Sequence, residues 1–269
     1  MNEGKKGHSI IKMTVEEKES WDVELSVIIP VKDEEENIID LAKEINESLR
    51  SVDYSWECIW VDDGSTDRTL SEMEKLNQRD DRHQFVSLSR NYGQSAALCV
   101  GFNLSRGRLL ATLDGDGQND PKDIPKLVTR LIEEDVDMVN GVRQKRQDSF
   151  IRKISSKIGN GFRNWLTGEN VTDVGCSLRV FKHTCAANIS SFKGMHRFLP
   201  TLIRIGGCSK ILEIPVNHRS RKHGETKYGI GNRLWVGIMD TLAVRWMQSR
   251  MVFADIKNTS SALHKKKEK

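Results

Sequence analysis

Apolar residues along this chain come in short unbroken runs, and the stretches between them carry helical spacing. Glu24 to Val31 (ELSVIIPV) is continuously apolar from Val27 to Ile29, the pattern of a strand covered on both faces, and Pro30 is predicted to end it. Glu34 to Leu49 follows as a helix. The pattern then predicts a strand at 57–61, a helix at 67–77, a strand at 84–88, a helix at 94–104, a strand at 109–113, a helix from about Pro121 to Glu134, and a strand near Asp137 to Gly141. Strands alternating with helices imply a doubly wound, mostly parallel α/β sheet with right-handed crossovers. No Gly-x-Gly-x-x-Gly follows the first strand, which argues against a dinucleotide-binding domain.

Two of these strands end in acid. Leu109 to Leu113 runs into Asp114-Gly115-Asp116-Gly117-Gln118, and Trp56 to Val61 runs into Asp62-Asp63-Gly64-Ser65-Thr66-Asp67. Either segment alone is ordinary turn and cap chemistry. Together, on a parallel sheet, they share the carboxyl edge where open α/β folds bind ligands. Two carboxylates and an amide oxygen suit a hard divalent cation, Mg2+ or Mn2+, which bridges protein oxygens to substrate phosphates. Glycines at 115 and 117 permit a sharp turn and a close approach of phosphate to the backbone.

The ordered set Pro30-Val31-Lys32-Asp33-Glu34, Asp62-Asp63-Gly64-Ser65, Arg90-Asn91-Tyr92-Gly93, Asp114-Gly115-Asp116-Gly117-Gln118 and Gly141-Val142-Arg143 resembles the motifs of family-two inverting glycosyltransferases with the GT-A fold. Asp173-Val174-Gly175-Cys176-Ser177-Leu178-Arg179 and Arg221-Lys222-His223-Gly224-Glu225-Thr226-Lys227-Tyr228 are similar to the dolichol-phosphate mannosyltransferase branch. Members of that branch move a sugar from a nucleotide donor to a polyprenyl phosphate. The resemblance covers about residues 24–233 and implies roles residue by residue. Pro30, Val31, Lys32 and Glu34 match positions around the nucleotide base and ribose, with Lys32 where an aromatic is frequent. Asp62 and Asp63 match positions facing the base, and Arg90 a further donor contact. Asp114, Asp116 and Gln118 match the metal and diphosphate site. Arg221 and Lys227 match a late basic loop that closes over the donor phosphates and, with Asp116, serves catalysis. Arg143, Arg152 and Ser156 match positions that hold the acceptor phosphate. Such an acceptor, already largely dianionic at neutral pH, needs no strong general base, and His183, His196 and His218 are expected to be structural or interfacial.

Composition bounds this reading. The 269 residues, 37% hydrophobic, can bury one large core. Net charge is only +4, yet Arg143, Lys145, Arg146, Arg152, Lys153 and Lys157 cluster in one stretch and Arg219, Arg221, Lys222, Lys227 and Arg233 in another. Without interleaved aromatics these suit phosphate ligands better than nucleic acid. Five cysteines lack Cys-x-x-Cys spacing and are expected to be reduced, in a cytoplasmic protein.

The expected organisation is a flexible arm at 1–23, the glycosyltransferase domain at 24–231, an amphipathic interfacial helix at 232–254 and a basic tail at 255–269. Trp235, Ile238, Met239, Leu242 and Trp246 have helical spacing, but Asp240, Arg245 and Arg250 interrupt it, so the segment is expected to lie in a membrane surface rather than span it. The expected partners are a nucleotide sugar (GDP-mannose or a UDP-sugar), dolichyl or undecaprenyl phosphate, the cytoplasmic face of a membrane and, compatibly, a membrane-spanning protein. Three alternatives compete. A polysaccharide synthase usually carries Gln-x-x-Arg-Trp, whereas Leu242 stands at the Gln position before Arg245-Trp246. A haloacid-dehalogenase-like phosphatase wants Thr or Val where Gln118 sits. A non-catalytic nucleotide-sugar binding subunit would not need Asp116, Arg221 and Lys227 together.

Overall fold

The computed structural model describes residues 21–144, 150–221 and 231–252, and the side chains of 150–158 and 231–235 fall outside that description. Seven strands form one sheet: β1 Val23–Val31, β2 Trp56–Asp62, β3 His83–Ser87, β4 Gly107–Thr112, β5 Met138–Arg143, β6 Arg179–Lys182 and β7 Ile211–Val216. Their order across the sheet is β3-β2-β1-β4-β6-β5-β7. The helices are α1 Ile38–Ser48, α2 Thr69–Arg79, α3 Gln94–Leu104, α4 Ile124–Glu133, α5 Phe150–Thr167, α6 Leu199–Ile205 and α7 Gly231–Arg250.

Alternation along each strand sorts side chains onto two faces. Val27 and Ile29 of β1 join Leu109 and Val180 in a core under α1 and α4, where α4 buries Ile124, Leu127, Val128 and Leu131 at helical spacing. Ile28 points the other way, into a second core with Leu110 and Phe181, closed by Leu98 and Phe102 of α3, Leu202 of α6 and Val244 of α7. Emptying either core at one such site costs about 2–5 kcal/mol per Leu or Ile cut to Ala.

The parallel run β1 to β5 was legible in the apolar pattern, with four corrections. Pro30 does not end β1. The Ile28 carbonyl accepts from Leu113 N–H, so Pro30, two residues on, faces the same side, where β4 has already stopped at Thr112 and no donor is needed. The first helix begins at Ile38, because 34–37 forms a turn in which Asn37 donates to the Glu34 carboxylate at 2.6 Å. The sheet is not uniformly parallel, since β6 runs antiparallel between β4 and β5. Finally, Cys185 and Cys208 form a disulfide, leaving Cys58, Cys99 and Cys176 free. The expectation of five reduced thiols is therefore wrong, and the cytoplasmic assignment loses that support.

Candidate active site

The chain runs β1, β2, β3 outward on one side and returns to place β4 on the other side of β1. That reversal opens a crevice at the carboxyl ends of β1 and β4, and both acidic segments lie on this edge, as their strands are parallel to β1. Asp62 accepts hydrogen bonds from Ser65 N–H at 2.9 Å and Ser87 Oγ at 2.7 Å. Asp63 accepts from the backbone N–H groups of Tyr92 and Gly93 at 2.7 and 2.8 Å. Both carboxylates are buried and tie the loop after β2 to the end of β3 and the loop that follows it. Gly64, at φ +67°, is where these two loops touch, since a Cβ there would sit 2.5 Å from the Arg90 carbonyl carbon.

Of the other residues assigned to the donor, Lys32 bonds the Gly64 carbonyl at 3.1 Å and pairs with Asp33. Asp33 adopts φ +49°, a left-handed conformation uncommon for a residue with a side chain. Its carboxylate accepts from Thr66 N–H at 2.8 Å, which pays for that conformation locally. Arg90 stacks its guanidinium 4.9 Å from the centre of the exposed Tyr92 ring.

Asp114 and Asp116 follow β4. A Cβ at Gly115 between them would lie 2.5 Å from Val31 Cγ1, so the loop presses directly on the end of β1. Asp116 accepts from Gln118 N–H at 3.1 Å and from Arg221 Nη2 at 2.7 Å. Asp114 accepts from Gln94 Nε2 at 2.8 Å. Burial, and then the negative charge of Asp116, push the Asp114 carboxyl up to about 6. A buried carboxyl raised beside a second carboxylate, with an amide side chain two residues on, is a donor set that a hard divalent cation would relieve. Asp114, Asp116 and Gln118 thus fit such an ion.

Arg221 reaches Asp116 because the segment after β7 is laid across the acidic loop. Asn119 and His218 form an antiparallel bridge, and Arg219 N–H donates to the Gln118 carbonyl at 2.8 Å. Two motifs about a hundred residues apart in sequence are stitched into one wall. Lys227 lies outside the described residues.

The acceptor set is only partly described. Arg143 ends β5 and grips Asp173 through Nε at 2.7 Å and Nη2 at 2.8 Å, a bidentate pair that fixes the 173–178 loop at the mouth of the site. Arg152 and Ser156 lie on α5, and nothing of their side chains is described.

Sequence reasoning missed the floor of the crevice. A cleft of about 180 Å3 beside Asp114 is lined by Gln94, Ser177, Arg179, His196 and Arg197, among others. Arg179, the first residue of β6, sits opposite Thr112 and Asn140 in register. It is buried, and donates to Asn140 Oδ1, the His196 carbonyl and the Val174 carbonyl at 2.9, 3.0 and 2.7 Å. His196, expected to be structural or interfacial, belongs to the cleft lining. Burial, then Arg197 and Arg179, push its imidazole down to about 4, so it is neutral. The one signal for Arg179 was its place at the end of the Asp173–Arg179 motif.

Comparisons with known proteins agree with this architecture. Residues 26–189 match glycosyl transferase family 2. The chain is 40% identical over 82% of its length to a dodecaprenyl-phosphate galacturonate synthase of Rhizobium johnstonii. It is 38% identical over 77% of its length to an undecaprenyl-phosphate 4-deoxy-4-formamido-L-arabinose transferase of Edwardsiella ictaluri. The chain spans 66% and 63% of the lengths of those two relatives. Among solved structures, mannosyl-3-phosphoglycerate synthase from Rubrobacter xylanophilus superposes with a TM-score of 0.66 at 14% identity, covering 90% of this chain and 80% of that one. Glucosyl-3-phosphoglycerate synthase from Mycobacterium tuberculosis, solved with Mn2+ and uridine diphosphate, gives 0.64 at 17% identity, covering 89% and 84%. These two share the fold. On the match of residues 26–189 and the identity to its relatives, the chain belongs to glycosyl transferase family 2.

Proposed function

We propose that this chain carries out inverting transfer of a sugar from a nucleoside diphosphate to a polyprenyl phosphate at a membrane surface. The observation that carries the reading is the Asp114, Asp116, Gln118 and Arg221 cluster, held at the carboxyl edge by the Asn119–His218 bridge. Mg2+ or Mn2+ in that oxygen donor set would offset charge on the leaving nucleoside diphosphate. Arg221 brings a fixed guanidinium to the same place, and Lys227 is assigned beside it. Asp62, Asp63 and the loops they tie form the base and ribose side, with Pro30, Val31, Lys32, Glu34 and Arg90. Arg143, Arg152 and Ser156 hold the acceptor phosphate. That phosphate is its own nucleophile, and the structure is consistent with this: the histidine lining the cleft, His196, is too weak a base to be useful near pH 7. The named relatives use polyprenyl phosphates, which supports the acceptor class.

The membrane contact follows from exposure. Helix α7 buries Thr241 and Val244, yet leaves Met239, Leu242 and Trp246 exposed, Trp246 at 64%. α5 packs against α7 and contributes Phe162 and Trp165, the latter 78% exposed, with ring centres 6.3 Å apart. No helix among the described residues is long and apolar enough to cross a membrane. Exposed aromatics on two packed helices, one of which carries the positions assigned to the acceptor, suit docking at headgroup depth. The side chain of Trp235 and the lysine tail lie outside the described residues.

The test is transfer of radiolabelled sugar from GDP- and UDP-sugars into organic-soluble lipid in vesicles containing undecaprenyl or dolichyl phosphate, with Mn2+ or Mg2+. Labelled lipid is expected. Nucleotide binding without any transfer would favour a sugar-nucleotide binding subunit instead.

A further inference from the structure

The cleft beside Asp114 has an unusual balance of hydrogen-bonding groups. A guanidinium has five N–H donors and no acceptor. Three donations from Arg179 are accounted for by Asn140, His196 and Val174, all to neutral oxygens. Arg197 holds Asp240 of α7 only loosely, Nη2 to Oδ2 at 3.4 Å. Its Nε, shielded from solvent, has no hydrogen-bond partner, and neither does Asp240 Oδ2. His196 adds a further donor. Gly194 N–H donates to Ser95 Oγ at 3.0 Å, and Ser95 Oγ lies 3.0 Å from His196 Nδ1. With the serine proton given to Nδ1, the imidazole carries its own proton on Nε2. Gln94 turns its N–H toward Asp114 and Ser177 gives its proton to Asn119, which leaves Gln94 Oε1 and Ser177 Oγ as acceptors.

Of the two arginines in the lining, Arg197 therefore has donors left to give, with an unpartnered Nε and only a loose pairing to Asp240. A carboxylate only accepts, and an arginine with open N–H positions is its best partner. We infer that this cleft is a sugar subsite for a hexuronic acid, with Arg197 gripping the sugar carboxylate over the fixed guanidinium of Arg179. The inference rests on the nucleotide-sugar reading above and adds the class of sugar to it. Arg197 is the specificity-determining residue, since it is less committed than Arg179 to holding the fold together.

Calorimetry in Mn2+ separates the two levels. The probes are UDP and GDP alone, then the pairs UDP-galacturonate with UDP-galactose and GDP-mannuronate with GDP-mannose, which differ only at C-6. The expected result is that the uronate of the bound nucleotide series binds at least about tenfold more tightly than its neutral partner, the scale of one hydrogen bond to a charged group. Arg197→Met should bring the ratio close to one while free nucleotide binds as before, and Arg197→Lys should leave an intermediate preference. If neither nucleotide binds, the donor reading fails and this inference with it. If nucleotide binds and the wild-type protein holds the neutral sugar equally well or better, the uronate inference alone is wrong. A preference that persists in a folded Arg197→Met protein would remove Arg197 from the role. Should that variant fail to fold, the wild-type ratio together with Arg197→Lys still decides.

Discussion

Replacing Asp116 by Asn separates the fold from the chemistry, because the amide keeps the shape of the side chain and removes its charge. Asn can still accept from Gln118 N–H, so the loop turn survives. What the fold loses is an ion pair between the buried Asp116 and Arg221, whose side chain is 27% exposed; because the charge removed is the buried one and the guanidinium left behind is partly solvated, the cost is about 1 kcal/mol. It also gains something, because Asp116 is one of the charges pushing the Asp114 carboxyl up. The metal-free melting temperature should therefore move by no more than about 4 °C. The donor site loses much more. Taking away one preorganised charge lowers turnover by about a hundredfold or more, and a comparable loss in Mn2+-dependent nucleotide affinity has a visible thermal signature. Nucleotide at 100 times its dissociation constant stabilises the wild-type protein by about 2.7 kcal/mol, and the same concentration against a hundredfold weaker site gives only about 0.4 kcal/mol. Differential scanning fluorimetry with and without Mn2+ and nucleotide reads both quantities, and lipid-extraction turnover reads the third. Wild-type turnover in Asp116→Asn, or full activity in excess chelator, would refute the assignment of the acidic loop to metal and diphosphate.

Arg143→Ala and Arg152→Ala should diverge. The first strips the buried Asp173 of its bidentate partner and should destabilise by about 3 kcal/mol in urea titration, whereas the second should raise the apparent Michaelis constant for polyprenyl phosphate with nucleotide binding nearly intact. Loss of donor binding in Arg152→Ala would contradict that division. Trp165→Glu with Trp246→Glu should reduce binding to anionic vesicles and turnover on bilayer acceptor, with little change in melting temperature, since both rings are already exposed; equal loss on a water-soluble prenyl phosphate would place the anchor elsewhere. Stability should fall on acidification between about pH 6.5 and 4 through His83. Burial holds its imidazole down at about 4, Trp60 Nε1–H donates to its Nδ1 at 3.1 Å and Asn46 Oδ1 meets its Nε2 at 3.1 Å. The unfolded chain binds that proton near pH 6.5 and the folded one does not, so the folded state loses about 1.4 kcal/mol for each pH unit crossed in that window. Asp114, with its carboxyl raised, acts with the opposite sign between about 4 and 6. His83→Gln should flatten the His83 contribution in denaturant titrations at pH 7 and pH 5; an unchanged pH slope would dismiss it.

The parallel half of the sheet was readable because strands buried on both faces must be largely continuous apolar runs, and those at 27–29, 58–61 and 109–111 are. Strand β6 was not, because it has four residues with charge at both ends, Arg179 and Lys182, and only Val180 and Phe181 between them. Periodicity has nothing to measure over two residues. The acidic loops announced themselves by sitting at strand ends, and their edge was fixed once the strands were taken as parallel. Their partners were hidden for the opposite reason. Arg221 meets Asp116 across 105 positions, Arg143 meets Asp173 across 30, and His196 meets Ser95 across 101, and no local pattern encodes such separations. The Cys185–Cys208 pair is hidden in the same way, as it closes over α6.

Reversing β6 changes what the sheet edge can present. A parallel strand offers this edge its final residue and the loop leaving it, as β4 does with Asp114 and β5 with Arg143. An antiparallel strand offers its first residue and the loop arriving, so the 173–178 segment enters across the mouth of the crevice and Arg179 is already within the ladder beside Thr112. A guanidinium on a strand, bonded to three oxygens, cannot swing as one on a loop can. The crevice thus combines a rigid cationic floor with walls made of loops that Asp62, Asp63 and the Asn119–His218 bridge hold in place. Helices α5 and α7, packed against each other, carry the exposed rings of Phe162, Trp165 and Trp246. On the proposed function, donor and lipid-tethered acceptor would meet at this one edge of the sheet, and no helix among the described residues is long and apolar enough to cross a membrane.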